Sequence, residues 1–414
     1  MEKISILQGK RIVLGATGSI AVYKVIDLAS KLTQAGALVD VIMTDSAQRF
    51  VTPLAFQAVT GRAVYTDMWQ TDGGSGLPTH IAHVGLGEGA DLLAIIPATA
   101  NTLAKLAAGL SDNLITVMAL ASRAPLLIAP AMDGGMYEHP ATQANVTLLQ
   151  ERGAYLIDPE TGRFASGLIG KGRLPETATL IGEIRRVIGQ HTGALVGRKI
   201  VVSAGGTREA LDPVRYITNH SSGKQGYAIA QAAIDAGADV TLISTVKNLP
   251  VPTGATLIPV DTALQMQAAV LEQSTDADAL VMAAAVSDYR PATVADQKIK
   301  KKVDSDDAFS LALARNPDIL LSVKQQRESM NFPHVVVGFA AESENLIANA
   351  QSKLQRKGLD FLVANDITAT DAGFATDTNR VIVLHRDGTQ IEPGLISKAA
   401  VGELIMQQIA RALE

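Results

Sequence analysis

Short runs of purely apolar residues alternate along this chain with longer segments in which apolar positions recur every three or four residues. In KRIVLGATGSIAVYKVIDLASKLTQAGALVDVIMT an apolar run is followed by a glycine-rich turn, an amphipathic helical pattern, the tripeptide AGA and a second apolar run. Strands that are apolar throughout, with no alternation, are buried on both faces, as in a parallel sheet covered by helices. RKIVVSAGGTRE opens the same way, and after an insertion GYAIAQAAIDAGADVTLIS repeats helix, AGA and strand. Starts of this kind at residues 10 and 198 predict an α/β protein of two domains, each a parallel-sheet Rossmann-like fold. The glycine-containing polar stretch IGQHTGALVG (188–197) marks the boundary, giving domains 1–190 and 191–414. DLLAIIPAT, APLLIAPAM, ADALVMAAAV, HVVVGFAAE and LDFLVANDI read as further buried strands, most of them ending in small or polar residues. Ligands of open parallel sheets bind at those carboxyl ends, so the chemistry is expected there.

Composition narrows the class. With 414 residues, 47% apolar and 19% charged, the chain is long enough for two cores and reads as globular. A net charge of −5 argues against a nucleic-acid partner. No apolar run reaches the roughly 18–20 residues of a membrane span, and the charges of MEKISILQGKRIVLG continue into its apolar part, unlike a signal peptide. A cytoplasmic location without membrane attachment is the expectation. The absence of cysteine removes disulfides, thiolate metal sites and cysteine nucleophiles.

At the first strand end GATGS (15–19) offers amides and the hydroxyls of Thr17 and Ser19 beside Gly18, at a helix N-terminus suited to phosphate. It is not a GxGxxG fingerprint, and an ordinary strand-to-helix turn explains it equally well. Thr44 and Ser46 follow the second strand; Thr99, Asn101, Ser111 and Asn113 follow the next. Neutral polar clusters of this kind suit a phosphate and a polar heterocycle better than a metal. His83, in THIAHVGLGEGADL, is placed either to pack structurally or to move a proton near neutral pH. RFASGLIGKGRLPE (163–176) is dense in glycine, with Ser166 at its head and Lys171 and Arg173 following. It reads as a phosphate loop, a flap or a turn.

In the second half NHSSGKQG (219–226) fails the P-loop pattern because Gln225 follows the lysine, though a loop before a helix still suits an anion. KIKKK (298–302) is followed closely by DSDD, which argues against a nucleic-acid patch.

GATGSIAVYK, IAHVGLGEGADL, PATANTLAKLAAGLSDNL and PAMDGGMYEHPATQAN resemble the homo-oligomeric flavin-containing cysteine decarboxylases. SAGGTREALDPVRYITNHSSGKQGYAIA, AAVSDYRP, KIKK, NPDIL and VGFAAE are similar to phosphopantothenate–cysteine ligase. Their order, over nearly the whole chain, resembles the bifunctional bacterial enzymes of coenzyme A synthesis. The resemblance implies FMN on the first-half strand ends, at Gly18, Ser19, Thr44, Ser46, Thr99, Asn101 and Ser111. It implies that His83 serves the oxidative decarboxylation and that PAMDGGMY is the substrate loop. It makes RFASGLIGKGRLPE the flap that closes over substrate, with Lys171 or Arg173 meeting the substrate phosphate.

Two positions depart from the family pattern. Asp133 stands where asparagine is usual, and Ser166 stands where the family has its proton-donating cysteine. A hydroxyl is a far weaker acid than a thiol, so Ser166 either relays a proton from water, leaves the task to another group, or slows the last step.

For the ligase half the resemblance implies that Asn219 stabilises an acyl-nucleotide intermediate and that Lys298 contacts the triphosphate of CTP. Met282, Ala283, Ala284, Asp288, Pro317, Asp318, Ile319, Leu320, Phe339, Lys353 and Lys357 complete the CTP set. The implied reactants are 4′-phosphopantothenate, cysteine and CTP with Mg2+, and the metal ligands are left unassigned. The implied assembly is a homo-oligomer, trimeric through the flavin domain and dimeric through the ligase domain. Two alternatives remain at this stage: an active ligase on an impaired FMN-binding scaffold, and a non-catalytic regulatory flavoprotein.

Overall fold

The computed structural model describes residues 3–69, 82–164, 166–300, 310–342, 346–366 and 376–414. The chain divides into two compact units, Met1–His191 and Thr192–Glu414.

The sheet of the first unit runs Val64–Tyr65, Leu38–Met43, Arg11–Ala16, Leu92–Ala98, Leu126–Pro130, Tyr155–Leu156, and every pairing is parallel. This is a doubly wound order, and the direction of winding reverses between Arg11–Ala16 and Leu92–Ala98. Helices cover both faces, which is why Ile12, Val13 and Leu14 are all fully buried although successive side chains point to opposite sides. Helix Val22–Gln34 shows the sequence logic of that cover: Val22, Val25, Leu28, Ala29 and Leu32 form one buried stripe. Asp40, buried in the middle of its strand, is neutralised by Arg11 at 2.6 Å and Arg62 at 2.7 Å.

The second unit repeats the plan with Ala255–Pro259, Asp239–Ser244, Lys199–Ala204, Ala279–Met282, Val335–Glu342 and Phe361–Asp366, all parallel. It then departs from the all-parallel expectation. Thr378–His385 pairs antiparallel with Phe361–Asp366, and Gln390–Ile391 and Leu395–Ser397 pair antiparallel with Thr378–His385. Burial alternates along much of Thr378–His385, as expected of a strand with one solvated face. Among the described residues no helix is long and apolar enough to cross a membrane.

Candidate functional site

In the first unit the ends of the strands flanking the winding reversal are stitched together by Thr17. Its buried hydroxyl donates to the Pro97 carbonyl at 2.6 Å and accepts from the Thr99 amide at 3.1 Å. Thr99 in turn caps helix Ala100–Ala108, accepting from the Thr102 amide at 3.3 Å. The glycine at position 18 is required sterically, since a β-carbon there would lie 2.3 Å from Cβ of Ser46.

Over these ends lies a cavity of about 680 Å³ lined by Gly18, Ser19, Lys24, Thr99, Asp133 and Ser166, with apolar walls from Ile20, Met132, Met136 and Leu174. Its lid is an antiparallel hairpin, Glu160–Arg163 with Ile169–Arg173, which contributes Arg163, Phe164 and Arg173. The Met132 amide donates to the Gly172 carbonyl at 3.0 Å, fastening the hairpin to the PAMDGGMY loop. The half-buried Asp133 carboxylate caps the short helix Gly134–Tyr137 through the Gly135 amide at 3.2 Å. Its other oxygen accepts the Ser166 hydroxyl, also at 3.2 Å.

Several anticipated residues are not brought to this cavity. The Thr44 hydroxyl accepts from the Ala47 amide at 3.2 Å as a helix cap, and Ser46 is exposed beside Gly18. Asn101 and Ser111 are exposed, and Asn113 closes a capping box with Thr116. Lys171 lies outside the lining, 3.3 Å from Asp158. His83 belongs to helix Ala82–Glu88, and its side chain lies outside the described residues. Arg163 and Lys24 were not anticipated; their only signal was alternation in the hairpin and a position on the first turn of a helix that begins at the glycine turn.

The second unit has a cavity of about 530 Å³ at the corresponding strand ends, lined by Asn219, Met282, Ala284, Asp288, Pro317, Asp318, Ile319, Leu320, Phe339, Lys353 and Lys357. The loops that carry these residues are sewn together by hydrogen bonds to backbone and side chain. The Ala285 amide donates to the Gly205 carbonyl at 2.8 Å, and the Ser287 amide to the Thr207 hydroxyl at 3.0 Å. The Asn219 side-chain amide donates to the Val286 carbonyl at 3.1 Å. Buried Asn316 donates to the Ser287 carbonyl at 2.8 Å and accepts from Arg290 at 3.0 Å, which fixes the start of the NPDIL segment. Asp318 caps helix Ile319–Met330 and pairs with Lys357 at 3.1 Å.

Ala283 lines instead a neighbouring cavity of about 150 Å³, shared with Ser221, Ser222, Gly223 and Lys398. Burial, and then Lys224, lower the affinity of the Lys398 amine for its proton below the ordinary value, while its ammonium donates to the Thr376 carbonyl at 2.5 Å. Nothing in the local sequence marks Lys398; the fold delivers it. Lys298 is exposed and lines neither cavity.

Glycine turns, strand-end hydroxyls and an apolar-walled cavity under a hairpin define a small-molecule site in the first doubly wound unit, and a second such unit carries a polar cavity. Residues 2–189 match the family model for Flavoprotein, and residues 195–413 that for the DNA/pantothenate metabolism flavoprotein C-terminal domain. The chain is 44% identical over 406 residues to the Coenzyme A biosynthesis bifunctional protein CoaBC of Bacillus subtilis (strain 168), covering 98% of this chain and 97% of that protein. It is 40% identical over 403 residues to the protein of that name from Escherichia coli (strain K12), covering 97% of each. The solved C-terminal domain of a CoaBC protein is 36% identical, covers 54% of this chain and 98% of that one, and superposes with a TM-score of 0.45. The chain belongs to the family of bifunctional coenzyme A biosynthesis proteins. It is an enzyme of coenzyme A synthesis that combines ligation with decarboxylation.

Proposed function

We propose that the second unit activates 4′-phosphopantothenate with CTP and joins it to cysteine, and that the first unit decarboxylates the product with FMN to 4′-phosphopantetheine. The observation that carries this reading is the polar cavity of the second unit. There Asn219, Asp288, the Pro317–Leu320 segment, Phe339, Lys353 and Lys357 converge from segments far apart in sequence.

In the ligation the substrate carboxylate attacks the α-phosphate of CTP and pyrophosphate leaves. The cysteine amine then displaces CMP. Lys353 and Lys357, four residues apart on helix Leu346–Lys357, bring two cations to one wall, where triphosphate charge is to be neutralised. Lys298 enters this reading as an exposed residue that reaches the triphosphate only with nucleotide present. The Asn219 amide, an uncharged donor, suits the oxyanion of the acyl intermediate. Mg2+ is commonly held by one or two carboxylates together with substrate phosphates, and Asp288 and Asp318 are the carboxylates of this wall.

FMN fits the first cavity. The volume lies within the range of cofactor sites, roughly 300–1,000 Å³. The Gly18 cradle and the Ser19 and Thr99 hydroxyls offer donors for phosphate, and the apolar wall accepts a flat ring. When bound, the flavin would take electrons from the cysteinyl thiol and later return them. Arg163 and Arg173 are the hairpin cations available to the substrate phosphate, and His83 serves the oxidative decarboxylation, as the resemblance implies. Assembly as trimers through the first unit and dimers through the second belongs to the same reading, and sedimentation tests it.

The purified protein, given 4′-phosphopantothenate, cysteine, CTP and Mg2+, is expected to form 4′-phosphopantetheine, followed by mass spectrometry. Accumulation of 4′-phosphopantothenoylcysteine would restrict the activity to the ligase and leave the first unit a flavin-binding scaffold. A failure to consume CTP would remove the reading of the second unit.

A further inference from the structure

Two stretches far apart in sequence, 284–288 after a sheet strand and 315–320 before a helix, form adjoining parts of the wall of the polar cavity in the second unit. Asn316, 6% exposed, ties them together. Its backbone amide donates to the Asp288 carbonyl and its side-chain amide to the Ser287 carbonyl, both at 2.8 Å. Its side-chain oxygen accepts from Arg290 at 3.0 Å, and the same guanidinium nitrogen donates to the Arg315 carbonyl at 2.8 Å. The short strands Tyr289–Pro291 and Leu313–Arg315 continue the connection as an antiparallel pair, with Tyr289 opposite Arg315. The first stretch is itself fixed to the fold, since the Ser287 amide donates to the hydroxyl of fully buried Thr207.

The chemistry of position 316 is narrow. A carbonyl only accepts and a guanidinium only donates, so the side chain between them must present a donor on one side and an acceptor on the other. The amide of asparagine does both. Aspartate, of nearly the same shape, turns an acceptor toward the Ser287 carbonyl, and leucine leaves that carbonyl and Arg290 without their partner. Each of these bonds joins one stretch of the wall to the other.

We propose that Asn316, braced by Arg290, is a positioning residue that holds the two stretches in register and thereby sets the selection of CTP over other nucleoside triphosphates. This rests on the ligase reading above. A site rejects the wrong base when that base leaves the site's own polar groups unpaired, which requires those groups to stand at fixed spacing. In a wall made of two stretches the spacing is only as firm as their connection, and a displacement of about 1 Å is enough to spoil aligned contacts. Lys353 and Lys357 act differently. They stand on helix Leu346–Lys357, and in the ligase reading they meet phosphate charge, which every nucleoside triphosphate carries. Weakening the lysines therefore affects all nucleotides alike, whereas loosening Asn316 affects the preferred one most.

The test follows pyrophosphate release by the full-length protein with CTP, UTP and ATP varied in turn. Asn316→Asp is expected to lower kcat/KM for CTP by about 10–100-fold and to narrow the preference for CTP over UTP and ATP by about tenfold or more. KM for cysteine should stay unchanged. Arg290→Lys keeps the charge and a donor but loses the planar fork, and a smaller shift in the same direction is expected. That variant decides the matter should Asn316→Asp fail to fold, which circular dichroism reveals. Lys353→Ala, as the contrast, should weaken all three nucleotides equally. Equal losses across the three nucleotides in the Asn316 and Arg290 variants, or a lower Tm with the preference unchanged, overturn the positioning role and leave the ligase standing. A native protein that releases no pyrophosphate from CTP removes both.

Discussion

At the residue scale, close approach in the second unit makes a sharp demand. A β-carbon at position 206 would lie 2.6 Å from the carbonyl oxygen of Asn219 and 3.1 Å from the Thr218 hydroxyl. Gly206→Ala must therefore displace the backbone that carries Asn219. It is expected to lower ligase kcat/KM by about 10–100-fold, while CTP binding measured by calorimetry changes little. Lys357→Ala should do the reverse, raising KM for CTP about tenfold by removing one charge-assisted contact to phosphate, with kcat nearly retained. Steady-state kinetics with CTP varied separate the two patterns. Residues of this second wall were legible because long motifs name them. The hydroxyls of the first unit were less so. A threonine after a strand and before a helix serves equally as an N-cap or as an anion partner, and local sequence does not distinguish them. Thr44 caps, whereas Thr99 caps and also lines the cavity. Arg163 and Lys398 escaped for another reason, since only the fold brings them to a cavity wall.

At the element scale, the turn before the Tyr216–Thr218 strand is held by one buried carboxylate. Asp212 accepts from the amides of Val214 at 2.8 Å, Arg215 at 2.9 Å and Ile299 at 3.1 Å, and from the Arg215 guanidinium at 3.0 Å. The Arg215 guanidinium also donates to the Ile299 carbonyl at 2.8 Å, so the segment next to Lys298 is fixed through both its backbone groups. Arg215 first, then the amides of Val214, Ile299 and Arg215, hold the Asp212 carboxyl far below the usual carboxylate range. A carboxyl depressed in the folded state contributes its stability in full above its unfolded value, near pH 4. That contribution is lost as the pH falls further toward the folded value. Asp212→Ala leaves several donors without their acceptor and is expected to lower Tm at neutral pH. The gap from the native protein should hold from about pH 8 to pH 5 and narrow below about pH 4. A gap independent of pH down to pH 3 would assign the loss to packing instead. Apolar runs revealed the parallel strands, because burial on both faces leaves a plain signature. Thr378–His385, partly solvated and alternating, left a weaker one and was not anticipated.

For the whole molecule, each unit possesses its own buried clusters: one sheet centred on Ile12 and Leu14, the other on Val201 and Val202. The residues lining each proposed ligand cavity come from a single unit. A ligand that binds only the folded form stabilises it by RT ln(1 + [L]/Kd), about 2.7 kcal/mol at a hundredfold excess over Kd. For units of this size that corresponds to a rise in Tm of roughly 5–10 °C. Scanning calorimetry of the full chain should therefore show FMN moving the unfolding of the first unit and CTP with Mg2+ that of the second, each leaving the other transition in place. Proteolysis at intermediate temperature identifies which unit has melted. If CTP moved both transitions together, the two units would unfold as one cooperative body, and the separate cores would not be separate folding units. If FMN moved neither, the cradle at Gly18 would not be its site. The second outcome bears directly on the decarboxylase reading, since Asp133, Ser166 and the hairpin arginines line the same cavity as Gly18.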